Sequence, residues 1–81
     1  MNPIELVTTI IQSIVNYPEN VLVERTVDNL GVLLTVKANK EDIGLIVGRE
    51  GQNIKAIRWI AKICGKKHKE NVNIKVSDPL R

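Results

Sequence analysis

Ile43-Gly44-Leu45-Ile46-Val47-Gly48-Arg49-Glu50-Gly51-Gln52-Asn53-Ile54-Lys55-Ala56-Ile57-Arg58 decides the fold. An apolar segment runs into Gly-x-x-Gly, and an amphipathic segment carrying basic side chains leaves it. Two glycines three apart let the backbone turn tightly between two helices, with no Cβ to hold a ligand away. The second glycine opens a helix whose unpaired N–H groups and positive dipole end face the gap. Such a gap suits a phosphate or a sugar-phosphate strand. Arg49, Lys55 and Arg58 stand nearby in sequence to supply charge. The plainer alternative is a simple interhelical turn.

Upstream, Lys40-Glu41-Asp42 starts the short helix that ends at Gly48. The acids at its start have a sufficient structural reading in the helix dipole. Downstream, Gly51 or Gln52 starts a longer helix running to Cys64, with Gly65 as the expected C-cap. Lys66, Lys67 and Lys69 then read as a basic loop. Asn71 to Ser77 is the last strand. Val72, Ile74 and Val76 alternate against Asn73, Lys75 and Ser77, the period of an edge strand with one face on the core.

Towards the N-terminus, Val32 to Ala38 reads as a central strand, apolar on both faces at Val32-Leu33-Leu34. Asp28-Asn29-Leu30-Gly31 is a turn, and Val21 to Val27 the antiparallel partner strand. Asn2-Pro3 starts a first helix, with Asn as N-cap and Pro at the first helical position. Its stripe of Ile4, Val7, Ile10, Ile11, Ile14 and Val15 closes at Tyr17-Pro18. The order is α-β-β-α-α-β. The helical crossover makes the second and third strands parallel and right-handed. The expected fold class is therefore α+β, a three-stranded mixed sheet with three helices packed on one face, in one domain over residues 1–81.

Charge separates the two halves. Residues 1–36 hold one base against four acids, −3, while residues 37–81 hold eleven bases against five acids, +6. The basic half contains the Gly-x-x-Gly, a footprint of polyanion binding. Lys55, Arg58 and Lys62 recur along one helix face, with Lys55 and Arg58 near enough to the loop to be contacts and Lys62 an ordinary solvated position. Lys66, Lys67 and Lys69 read equally well as dipole partners or phosphate contacts.

Enzyme chemistry finds no footing. There is no Ser-His-Asp or Cys-His set, and the GxxxxGK[ST] spacing of a P-loop is missing. The single Cys64 is expected as a small buried hydrophobe, and His68 has no neighbours at ligand spacing, so no metal and no cofactor are expected. No signal peptide or transmembrane span is read, which makes the cytoplasm the expected location, without a membrane or small-molecule partner. Trp59 is expected in the core, with an interface anchor as the alternative, and Tyr17 at a helix end. With only these two aromatics, folds that stack bases on aromatic platforms are disfavoured.

From Pro3 to Ser77 the chain resembles a KH domain of the type II arrangement. Ile46-Val47-Gly48-Arg49-Glu50-Gly51-Gln52-Asn53-Ile54-Lys55-Ala56-Ile57-Arg58 closely resembles the V-I-G-x-x-G-x-x-I-K-A-I-R segment of small bacterial single-KH proteins of the KhpA type. The resemblance implies a groove for about four nucleotides of single-stranded RNA or DNA. One wall maps onto Ile43, Ile46, Val47, Gly48, Arg49, Glu50, Gly51, Gln52, Ile54, Lys55 and Arg58. The other maps onto the loop from Lys66 and Lys67 to Lys69 and the last strand with Ile74. In that picture Ile46 and Ile54 floor the groove under the bases, and the last strand's backbone reads base edges. Glu50 departs from the pattern as an acid facing the phosphate path, turned outward or paired with Arg49 or Lys55.

The resemblance further implies a non-catalytic RNA-binding protein. It would be an RNA chaperone or post-transcriptional regulator tied to cell division or envelope growth, pairing with itself or with a larger KH-containing RNA-binding protein. The rival readings are a dimerisation or adaptor module and a ribosome assembly factor.

Overall fold

In the computed structural model, which describes residues 1–77, helix α1 spans Pro3–Ile14 and begins as its sequence dictates. Asn2 Oδ1 accepts the Glu5 N–H at 2.9 Å, while Glu5 Oε1 accepts the Asn2 N–H at 3.1 Å. The pair is a reciprocal capping box, with Pro3 at the first helical position. The helix stops at Ile14 rather than at Tyr17-Pro18, and Val15 is already extended with ψ 161°.

Asp42 causes that early stop. Its carboxylate is 0% exposed and accepts the backbone N–H groups of Asn16 at 3.0 Å and Tyr17 at 2.9 Å. Both donors leave the helical path to reach it. Asp42 stands at the helix start as expected, where it makes no side-chain cap bond, and it is in addition a buried tie between two segments. Tyr17 keeps its hydroxyl at the surface. A hydrogen bond to the Glu41 carboxylate, reinforced by that group's charge, raises the phenol pKa above its ordinary value.

Strands β1 (Leu22–Asp28) and β2 (Gly31–Lys37) pair antiparallel from Leu22↔Lys37 to Asp28↔Gly31, so the predicted turn is in place. β3 (Val72–Val76) pairs parallel to β2 from Val32↔Val72 to Val36↔Val76. The sheet order β1-β2-β3 puts β2 in the centre and β3 at an edge. Gly31 adopts φ +129°, and a Cβ there would meet the Asn71 carbonyl oxygen at 2.3 Å. Asn71 also donates from Nδ2 to the Leu30 carbonyl at 2.8 Å and accepts the Val32 N–H at 2.8 Å.

After a single 3₁₀ turn at Lys40–Asp42, α2 covers only Ile43–Val47. Helix α3 spans Gln52–Lys67, three residues past the expected end at Cys64. Gly65 is not its cap. It lies inside the helix, where a Cβ would meet Val72 Cγ2 at 2.6 Å and the Glu70 carbonyl oxygen at 2.8 Å. Its role is close approach between α3 and the start of β3. The C-cap is His68, and the left-handed residue follows it at Lys69 with φ 59°. Glu70 N–H bonds the Gly65 carbonyl at 2.8 Å and Lys69 N–H bonds that of Lys66 at 3.0 Å, a Schellman motif with lysine where glycine is usual. Lys69→Gly is expected to stabilise the domain by about 0.5–1 kcal/mol, the left-handed penalty of an L residue less the added freedom of glycine when unfolded. Thermal unfolding should show a rise of a few degrees; an unchanged or lower midpoint would contradict this cap geometry.

The core lies between one sheet face and all three helices. Leu34 and Val36 of β2 are 0% exposed against Val7 and Ile11 of α1 and Ile46 of α2, each burial stabilising by about 1.5–3 kcal/mol. α3 contributes Ile54, Ile57, Ala61 and Gly65, one helical stripe. Trp59 falls outside that stripe and is 66% exposed, which overturns its expected place in the core. Cys64 sits at the stripe's margin, half-buried rather than buried, with Sγ 3.6 Å from the Met1 carbonyl oxygen. The architecture is the α+β type II KH arrangement.

Candidate nucleic-acid interface

Helix α2 ends because Gly48 leaves the helical region (φ 76°, ψ 173°) after its N–H has bonded the Gly44 carbonyl at 2.8 Å. A Cβ at Gly48 would lie 2.5 Å from Asn53 Cγ. The Asn53 amide fills that space to donate from Nδ2 to the Leu45 carbonyl at 2.7 Å. Gly48 is thus required by the side chain that clamps the loop to α2.

Arg49–Gly51 then make one tight turn, closed by the Gly51 N–H on the Gly48 carbonyl at 3.1 Å. Glu50 (φ 55°, ψ 23°) and Gly51 (φ 75°, ψ 17°) are both left-handed, and α3 begins at once after them. The two glycines serve different ends. At Gly51 the nearest atoms to a Cβ would be Ile54 Cγ2 and Lys55 Cε, both at 3.9 Å. That side of the backbone is open to an approaching group, at the positive end of a 16-residue helix.

Arg49, Gln52, Lys55 and Arg58 are exposed around this opening. Glu50 is exposed as well, and among the described residues it enters no ion pair, so it is the outward-turned alternative that holds. Arg58 reaches across to the sheet, where its Nε donates to the Ile74 carbonyl at 3.3 Å. The bonds Val32 N–H to Asn71 O and Ser77 N–H to Val36 O aim the odd-numbered residues of β3 at β2, so the Ile74 backbone faces the free edge. Arg58 therefore joins the two walls.

The expected residues divide into four groups. Gly48, Arg49, Glu50, Gly51, Gln52, Lys55 and Arg58 gather at the mouth of α3. Ile46 at 0%, Ile54 at 5% and Ile74 at 5% exposure support it from beneath, and their side chains offer almost no surface to a base. Half-buried Ile43 and Val47 are, of the expected residues, the ones that keep apolar surface on α2. Lys66 and Lys67 stand apart. They are in the last turn of α3, not in a loop, about 21 Å along the axis from Gln52. Lys67 is also rotated about 100° from Lys66, onto the face of Ile60 and Ile63.

A family model described as KhpA/KhpB, KH domain, matches residues 4–76. The chain belongs to the KhpA/KhpB family of KH domains. The protein named RNA-binding protein KhpA from Clostridium perfringens is 33% identical over 72 residues, covering 89% of this chain and 96% of that one. The same name is carried by a Listeria monocytogenes protein, 26% identical over 89% of this chain and 95% of its own. A Borreliella burgdorferi protein of that name is 29% identical over 95% and 94%.

Three residues of this KhpA/KhpB domain were passed over in its sequence. Asn53 was hidden because an asparagine in a helix's first turn has many local uses. Gly44 is exposed on α2 with nothing within 4 Å of a Cβ position, leaving bare backbone one turn before Gly48. Lys62 was set aside as solvated, yet its Nζ lies 3.3 Å from Asn73 Oδ1 on β3. Its spacing from Lys55 and Arg58 was the available signal. Among the described residues no three His, Cys, Asp or Glu side chains gather to hold a metal ion, and no helix is long and apolar enough to cross a membrane.

Proposed function

We propose that the chain is a non-catalytic RNA-binding protein, holding about four nucleotides of single-stranded RNA between the Gly48–Gly51 turn and β3. The carrying observation is the open left-handed pair Glu50–Gly51 at the foot of α3, ringed by Arg49, Lys55 and Arg58. The names of the Clostridium and Listeria relatives support RNA over DNA. Gly51 admits the backbone phosphates, Arg49 and Lys55 neutralise them, and Ile43 and Val47 give the bases an apolar rest. Arg58 leaves the Ile74 carbonyl occupied, so base reading falls to the remaining guanidinium and strand donors.

Fluorescence anisotropy with short single-stranded RNA tests this. For about three phosphates neutralised, log K should fall with log salt at a slope of roughly −2. Glu50→Lys should tighten binding about tenfold and steepen the slope by about 0.7, one further single-strand phosphate. Binding that is absent, or indifferent to both salt and Glu50→Lys, would sink the groove assignment.

A second reading, pairing with a further KH chain, is favoured by the outer face of α3. Trp59, Ile60 and Ile63 are 66%, 43% and 56% exposed, beside Met1 at 70%. A single groove binds modestly, and linking two raises effective concentration. The partner would be a second copy or a larger KH-containing protein, and the cytoplasmic role that of an RNA chaperone or post-transcriptional regulator in cell division or envelope growth. Trp59→Glu with Ile63→Glu should shift a dimer to monomer in sedimentation velocity, weakening association at least about tenfold. A native protein that is already monomeric, and stays so with a KH partner, would remove this reading.

A further inference from the structure

Lys66 extends the Lys55, Arg58, Lys62 series to i, i+3, i+7 and i+11, one continuous basic stripe on α3. The stripe runs along the seam with β3, as Arg58 on Ile74 and Lys62 on Asn73 record. It ends in an open pocket of about 480 Å³ lined by Lys62, Lys66, Lys69, Glu70, Asn71 and Val72. Three lysines there face one carboxylate. That carboxylate is engaged elsewhere: Glu70 Oε2 is 2.6 Å from Arg25 Nη2. Lys69 is delivered to the pocket by the left-handed Schellman position, which a glycine would hold with less strain. The pocket thus keeps a local excess of positive charge.

We infer that this pocket is a second phosphate-binding station, which takes phosphodiester groups of an RNA strand that has already passed the Gly48–Gly51 turn. The inference rests on the RNA reading above. Distance sets its terms. At about 3.4 Å per stacked nucleotide, about four nucleotides span some 14 Å, short of the roughly 21 Å from Gln52 to Lys66. A strand of about eight nucleotides spans some 27 Å and reaches the pocket. The chain would then discriminate by strand length as well as by single-strandedness.

The test is anisotropy with random-sequence RNA pools of about four and about eight nucleotides, on the native protein and on Lys66→Gln/Lys69→Gly, with circular dichroism confirming the fold. Glycine at 69 suits the local backbone, so the variant is expected to fold. In the native protein the longer pool should bind at least about tenfold tighter, with a salt slope steeper by about 1.4 for two further phosphates. The variant should hold the shorter pool within about twofold of native and lose the slope increment. A variant that keeps the increment, or a native protein blind to length, overturns the second station and leaves the groove reading standing. Failure of the native protein to bind either pool overturns both.

Discussion

Asp42→Ala should lower stability by about 3 kcal/mol and the thermal midpoint by roughly 15 °C. The carboxylate is fully buried and holds two backbone N–H groups, at 3.0 and 2.9 Å. A hydrogen bond to a charged group contributes about 1.5–3 kcal/mol, and a donor left unpaired away from water costs about 1–3 kcal/mol. A domain of this size has only about 4–12 kcal/mol in total, and each kcal/mol moves the midpoint by about 4–8 °C. Asp42→Asn keeps the shape and one acceptor, so it should recover part of the loss. Because Asp42 immediately precedes α2, the alanine variant should also loosen the α2 wall, seen as faster hydrogen exchange at Gly48 and Gly51. An alanine variant that melts within a few degrees of native would remove Asp42 from this role.

Arg49→Asp combined with Gln52→Asp should weaken single-stranded RNA binding about a hundredfold without unfolding the domain. The two changes swing the charge beside the open turn by three units. At contact distance in a water-like medium each unit is worth about 1 kcal/mol, and about 3 kcal/mol corresponds to roughly a hundredfold. Neither side chain is buried, and an acid in the first turn of α3 suits its dipole, so the fold should be unharmed. Binding by the folded double variant at native strength would move the contact off the turn altogether. The variant also separates the two readings of the protein, because pairing through Trp59 and Ile63 on the outer side of α3 should survive it.

The architecture was legible where local chemistry and periodicity agreed. Asn2-Pro3, the strict alternation of Val72, Ile74 and Val76, and Gly-x-x-Gly between two helical segments each have one economical reading, and together they leave one topology. What escaped depended on partners distant in sequence. Gly65 looks like a C-cap until Val72 arrives beneath it, and only Lys69 in an unexpected backbone region shows where α3 ends. Asp42 looks like a dipole acid and nothing more until Asn16 and Tyr17 are seen to lie on it. Trp59 was misplaced because a large aromatic usually signals a core, whereas the stripe of Ile54, Ile57 and Ala61 already filled that face. At the site, residue types marked the charged mouth of α3. They did not show that Ile46 and Ile54 are covered, or that Lys66 and Lys67 point apart.

The lock on the β1–β2 turn has a bearing on how the protein comes into being. Gly31, Leu30 and Val32 all await Asn71, about forty residues later in the chain. During synthesis at about 5–20 residues per second, the hairpin therefore emerges seconds before its fastener. Loop closure over that separation delays the sheet further, since the parallel pairing of β2 with β3 completes it. A nascent chain has its acidic N-terminal half outside the ribosome first, and the basic groove takes shape only with the last strand. The basic stripe of α3 thus gains its facing strand only after the rest of the sheet has been made.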